Sequence, residues 1–466
     1  MNDEVGAGME RGSGAEPTAV AREKIAALYE REAAAFEAAH PASREIHERA
    51  KDSLLAGVPM NWMTRWPGSF PVFFAEASGA SVTDVDGHRY ADLCLGDTGA
   101  MTGHSPAATV EAVEERLRTG ITTMLPSSDS IAVGEELRRR FGLPRWQVTV
   151  SATDANRFVI RLAREITGRG KVLVFNHCYH GTVDEALVTR QDGEAAPRPG
   201  SVGPPVDPSM TTRVVEFNDV DALERELGAG DVACVLTEPA LTNVGIVLPE
   251  DGFHARLREL TREHGTLLVI DETHTLCCGP GGYTAKHRLD PDLMTIGKPI
   301  AGGIPVGAYG MSEAVAERVL DHTVWDAADE GGVGGTLAGN ALSLAAIRAT
   351  LCDVLTEPAF EHMIALARRF EAGVDAAIAE HGLPWQVTRL GCRAEYMFAP
   401  GRPRTGAEAA AAFDPELDRL MHLYMLNRGV LLTPFHMMAL MSPATSEEHV
   451  DAHAAAFEEA ASELTE

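Results

Sequence analysis

Short apolar runs, each closed by a turn residue, dominate the middle of the chain: 147–150, 171–175, 213–217, 232–236, 266–270, 293–296 and 306–309. Helical stretches separate most of them. Continuous apolar strands alternating with helices predict a mostly parallel sheet covered on both faces. Such sheets bind ligands at the carboxyl ends of their strands, so the residues that follow each run meet in space.

The flanking regions carry other patterns. Ile25, Leu28, Tyr29 and Phe36 fall near helical spacing and predict an amphipathic helix over 18–40, with a second short helix over 43–55. Strands are expected at 70–74, 80–84 and 89–94, with a turn at Asp86-Gly87, which makes a small antiparallel meander. Beyond Asn340 the spacing is helical to about 381 with a break at Pro358. Strands then follow at 385–388, 393–398 and 430–433, with helices near 415–427 and from Ser446. The expected organisation is a disordered tail over 1–17, helices and meander over 18–95, a large α/β ligand-binding domain over 96–345, and a smaller α+β domain over 346–466. Residues 192–209, rich in proline and glycine, read as a long loop.

Chemistry gathers after the strands. Ser151-Ala152-Thr153 open a helix, which is an anion site because free amides and the helix dipole both favour a phosphate; an ordinary N-cap is the alternative. Tyr179-His180-Gly181 offer a ring to stack on a flat ligand. Glu238 and Asn243 sit on a strand-end loop where they can bond a ring oxygen or orient a neighbour. Asp271 ends an apolar strand, where an unpaired carboxylate is costly and a protonated ring nitrogen would stabilise it. Lys298 ends the next strand and runs into glycines, as a desolvated Schiff-base lysine does. Thr336 opens a further helix and offers a hydroxyl to a phosphate.

Net charge, −28 from 40 basic and 68 acidic residues, argues against nucleic acid or an anionic membrane as partner. No apolar run reaches bilayer-spanning length, and a cytoplasmic protein is expected. Seven cysteines do not make a disulfide framework. Neither Cys277-Cys278 nor the 177–180 cluster has a second pair at zinc spacing, so no metal is expected.

These motifs are similar to those of class III, fold-type I pyridoxal-phosphate aminotransferases, in the branch of glutamate-1-semialdehyde aminomutase and β-amino-acid aminotransferases. The likeness runs from about 70 to 442 and is most specific at Tyr179-His180-Gly181, Glu238-Pro239, Asp271-Glu272 and Gly297-Lys298. The resemblance implies pyridoxal 5'-phosphate as cofactor, with Lys298 as its Schiff-base partner, Asp271 on the ring nitrogen, Tyr179 stacked on the ring and Asn243 near the ring hydroxyl. Thr153 and neighbouring amides would hold the phosphate, and Thr336 would reach the phosphate of the other subunit in a homodimer. Ala152 and Asp154 depart from the Ser-Gly-Thr-Glu-Ala loop usual in the family, and the added methyl is expected to shift the cradle. An arginine that grips the substrate carboxylate in relatives falls here on Trp62 or Met63; Arg65 is the candidate substitute, and Trp62 and Trp66 are candidate pocket walls. The expected activity is transamination between a small-molecule amine and a keto acid. An aminomutase, a racemase or epimerase, and a catalytically silent cofactor-binding paralogue are the alternatives.

Overall fold

The computed structural model describes residues 20–204, 206–322 and 331–466, and the tail expected over 1–17 lies outside them. Three strands, β1 (Phe74–Ser78), β2 (Ser81–Asp84) and β3 (Arg89–Asp92), form the antiparallel meander. The first begins at Phe74 rather than spanning 70–74. Phe70 is instead buried against Phe36, ring centroids 5.0 Å apart, so an aromatic contact with the first helix replaces strand pairing.

Next come β4 (Arg145–Thr149), β5 (Lys171–Phe175), the hairpin β6 (Val188–Gln191) and β7 (Glu194–Pro197), then β8 (Thr212–Val215), β9 (Val232–Thr237), β10 (Leu267–Asp271), β11 (Leu293–Gly297) and β12 (Gly307–Met311). The hairpin takes up part of what reads as loop over 192–209. The other strands make one sheet in the order β4-β12-β11-β10-β9-β5-β8. It is parallel except for β12, which runs against both neighbours. Every residue of β9 through β12 is buried, which is why these strands read as unbroken apolar runs.

The carboxyl-terminal part supplies β13 (Gln386–Leu390), β14 (Arg393–Met397), β15 (Val430–Leu431) and β16 (Met438–Leu440). β13, β14 and β16 form an antiparallel sheet, whereas β15 pairs with β3 and joins the meander. The helix Arg22–Ala39 packs on the helix Pro415–Asn427 of the carboxyl-terminal part. In the long helical stretch the break precedes Pro358, which occupies the first turn of Glu357–Glu380, where its missing N–H leaves nothing unpaired.

One junction of the sheet positions everything that follows. Gly297 and Gly307 face each other across β11 and β12, and Gly307 pairs with Thr149 of β4. A Cβ on Gly307 would lie 2.4 Å from the Ser151 carbonyl, and one on Gly297 2.9 Å from the Ala152 methyl. The glycines therefore let the helix Ala152–Thr167 begin directly against the sheet, next to Lys298.

Candidate active site

A cavity of about 410 Å³ opens at the carboxyl ends of these strands, and its wall includes Trp62, Ser151, Ala152, Thr153, Tyr179, Asp271 and Lys298. Seven of the predicted site residues, far apart in sequence, thus share one chamber.

Asp271 is held from three sides. Its Oδ2 accepts from Asn156 Nδ2 and His180 Nδ1, both at 2.9 Å, and its Oδ1 accepts from the Thr273 N–H at 3.0 Å. Burial alone raises a carboxyl, but the His180 imidazole together with Thr273 and Asn156 outweighs it and holds Asp271 at about 2. Burial likewise opposes charge on His180, and the neighbouring Cys178 sulfur and Asp271 carboxylate raise it nonetheless. The floor of the cavity is therefore a fixed anion aimed at whatever cation the chamber receives.

Neither Asn156 nor His180 entered the site from the pattern along the chain as a partner of Asp271. Asn156 is fully buried within the apolar face of its helix and also accepts from Thr295 Oγ1 at 2.7 Å. An asparagine among Ala155, Phe158 and Val159 is the signal that could have found it, since a buried amide needs partners.

Ser151 caps the helix Ala152–Thr167 by accepting from the Asp154 N–H at 3.2 Å. Thr153 Oγ1 accepts from the Thr182 N–H at 3.2 Å, and a Cβ on Gly181, at φ 77°, would strike it at 2.1 Å. The Ala152 methyl lies next to Gly297 of β11, and Ala152 also lines the cavity. Asp154 lies outside the cavity, beside Thr336 in a surface hollow.

Tyr179 stands in the wall, its ring edge-on to Trp62 at 5.9 Å, and burial with the nearby Asp97 charge pushes its phenol up to about 12. Glu238 does not line the cavity. It is buried behind Tyr179, accepting from that residue's N–H at 3.5 Å and from Thr242 Oγ1, and burial raises its carboxyl. Asn243 donates to the His177 carbonyl at 3.0 Å and lines a second cavity of about 310 Å³ with Arg65, Phe435 and His436. Arg65 and Asn243 are thus brought together, one aromatic layer away from the main chamber, where Trp62 meets Phe435 at 5.4 Å. Thr336 is exposed and does not line its own chain's cavity.

Lys298 adopts a left-handed φ of 49°. Its Nζ lies 2.8 Å from Asp97 Oδ2 and 2.7 Å from His274 Nε2. Asp97 was not evident along the chain because it follows a strand of the meander rather than one of the central sheet.

The residues present fit a pyridoxal phosphate. A helix start would meet the phosphate, an anchored carboxylate the ring nitrogen, and a lysine the aldehyde. Thr273 adds a buried hydroxyl on the cavity wall with no partner among the described residues. The loop 277–282 plays no part in the chamber wall: Cys277 Sγ donates to the Leu390 carbonyl at 3.1 Å and ties the loop to the β13–β14 turn.

Residues 62–460 match the family model for aminotransferase class-III. A solved glutamate-1-semialdehyde-aminomutase from Pseudomonas aeruginosa PAO1 is 52% identical over 96% of this chain and 99% of that one, with a TM-score of 0.93. The glutamate-1-semialdehyde 2,1-aminomutase of Sorangium cellulosum is 36% identical over 90% of this chain and 96% of its own. An omega-transaminase from Sphaerobacter thermophilus is 29% identical, covering 91% and 98% of the two chains, with a TM-score of 0.82.

Proposed function

From the premise that the chain belongs to the class III aminotransferase family, with the fold-type I architecture and pyridoxal 5'-phosphate as cofactor, we propose that it moves the amino group of a small primary amine to a keto acid. The observation that carries this is the placement of Lys298 and Asp271 on adjacent strand ends of one cavity, with the start of the helix Ala152–Thr167 beside them.

When bound, the cofactor supplies an aldehyde that accepts the amine and a ring that withdraws electrons from the carbon beside it. The chain supplies the rest. The first-turn amides and Thr153 would bind the phosphate, Asp271 with its three partners would keep a positive charge on the ring nitrogen, and Tyr179 would cover a ring face. Lys298 Nζ would take up the proton from the reacting carbon of the substrate and carry it during the transfer.

The wall also selects. Among the described residues, Lys298 is the one lysine or arginine that lines the chamber, while Arg65 lines the adjoining cavity. A substrate carboxylate is therefore best received away from the reacting carbon, past Trp62 and toward Arg65, by a bidentate contact. An amino shift within one molecule is the second reading, favoured by the aminomutase names of the similar proteins.

We further propose a cytoplasmic homodimer whose Thr336 serves the second copy's phosphate. Thr336 is exposed, and Met124, Leu125 and Ile131 are exposed apolar side chains of the kind an interface covers. Incubating the loaded enzyme with an amine panel, with and without a keto acid, tests the main reading. Amine loss that requires the acceptor supports it, and isomerisation without acceptor replaces it with the second.

A further inference from the structure

Behind Lys298 lies a set of polar contacts that the proposed reaction leaves unexplained. Four consecutive residues, Leu95, Gly96, Asp97 and Thr98, have φ of 44°, 57°, 51° and 78°. L-residues adopt this left-handed run only when their surroundings hold them in it, and such strain gathers at functional sites. The turn delivers two groups. Asp97 Oδ2 reaches Lys298 Nζ, and Thr98 Oγ1 lies 3.0 Å from His274 Nδ1, on the far side of the imidazole that touches the same lysine.

The proton arrangement follows from what each group can do. Arg393 is fully buried, donates to the Thr242 carbonyl at 2.8 Å, and points Nη1 at His274 Nδ1 at 3.3 Å. A guanidinium has donors and no acceptor, so Nδ1 must present its lone pair, and Thr98 can donate to it as well. Burial and the neighbouring Arg393 charge both keep the His274 imidazole neutral. Its single N–H is then on Nε2, directed at the lysine nitrogen 2.7 Å away. A nitrogen in this position can receive an N–H from His274 and give one to Asp97 only as an amine, since an ammonium has no lone pair.

Resting on the functional reading above, we infer that His274, its tautomer set by Arg393, and Asp97 are opposed positioning residues for Lys298. His274 favours the free amine that attacks the cofactor, and Asp97 favours the ammonium that carries a proton. The groups that face this nitrogen are Asp97 from the turn and His274 after β10. Arg393 of β14 and Asp271 stand behind the histidine, and His436 acts on Asp97 from the carboxyl-terminal part.

The test is uptake of pyridoxal phosphate by apoenzyme, followed by absorbance across pH. In this step a nitrogen–carbon bond forms and the aldehyde oxygen leaves as water. We expect His274→Phe to slow uptake about tenfold at neutral pH and to move the rising limb of the profile to higher pH by about one unit. Asp97→Asn should move it to lower pH, and His274→Gln, which retains an amide N–H, should restore part of the rate. Loss of folding would not shift two profiles in opposite directions, and Asp97→Asn carries the test alone should the phenylalanine variant be insoluble. Profiles that coincide with the parent, or that shift the same way, overturn the inference. A parent that takes up no cofactor overturns the functional reading and this one together.

Discussion

His180 Nδ1 donates to Asp271 Oδ2 across 2.9 Å between side chains that are 0% and 4% exposed. The pair fixes the carboxylate that would face the cofactor ring. Replacing His180 with phenylalanine removes a charged hydrogen bond worth about 1.5–3 kcal/mol. Retention of the cofactor, measured as its dissociation constant by fluorescence, should fall roughly 10- to 100-fold. Asn156→Leu, which removes the other side-chain donor to the same oxygen, should act in the same direction.

The contact of Ala152 with Gly297 predicts a sign pattern. Ala152→Gly removes a methyl that packs on β11 and should change cofactor affinity less than about threefold. Gly297→Ala crowds the Ala152 methyl and backbone and should cost about 1–3 kcal/mol by overpacking, lifting the helix start away from the site. The double variant should recover part of that loss, and cofactor titrations of the three proteins check it.

The sheet was legible along the chain because β9 to β12 are buried on both faces, and a strand so placed must be apolar throughout. Lys298, Asp271 and the helix start could be read for the same reason, since polar residues that end such runs have nowhere else to point. What stayed hidden depends on contacts between distant segments. Asp97 reaches Lys298 from 201 residues away in sequence, and β15 joins β3 across most of the chain. Glu238 shows the limit in the other direction: a strand-end glutamate can serve the site from behind a tyrosine without lining the cavity.

His453 carries a pH prediction remote from the site. It is buried among Phe370, Tyr396 and Phe457, neither ring nitrogen has a partner among the described residues, and burial pushes its imidazole down to about 3. The unfolded chain binds this proton near pH 6.5, so between the two values unfolding takes up a proton and stability falls as pH drops. His453→Phe should match the parent near pH 7 and exceed it by about 2 kcal/mol at pH 5. Urea titrations at the two pH values measure the difference.

Trp62 and Arg65 divide substrate recognition between two cavities. Arg65→Ala should raise KM for amines that carry a remote carboxylate by about tenfold or more, while leaving uncharged amines nearly unchanged. Trp62→Ala should weaken both kinds, because it removes the apolar wall between the chamber and Phe435. Steady-state kinetics with a matched pair of amines separates the two effects.

The direct measurement for the whole account is borohydride reduction of the cofactor-loaded protein followed by peptide mass spectrometry. One pyridoxyl adduct on the peptide containing Lys298, together with loss of amino transfer in Lys298→Ala, is the expected result. An unmodified Lys298, or a Lys298→Ala protein that turns over at the parent rate, would contradict it.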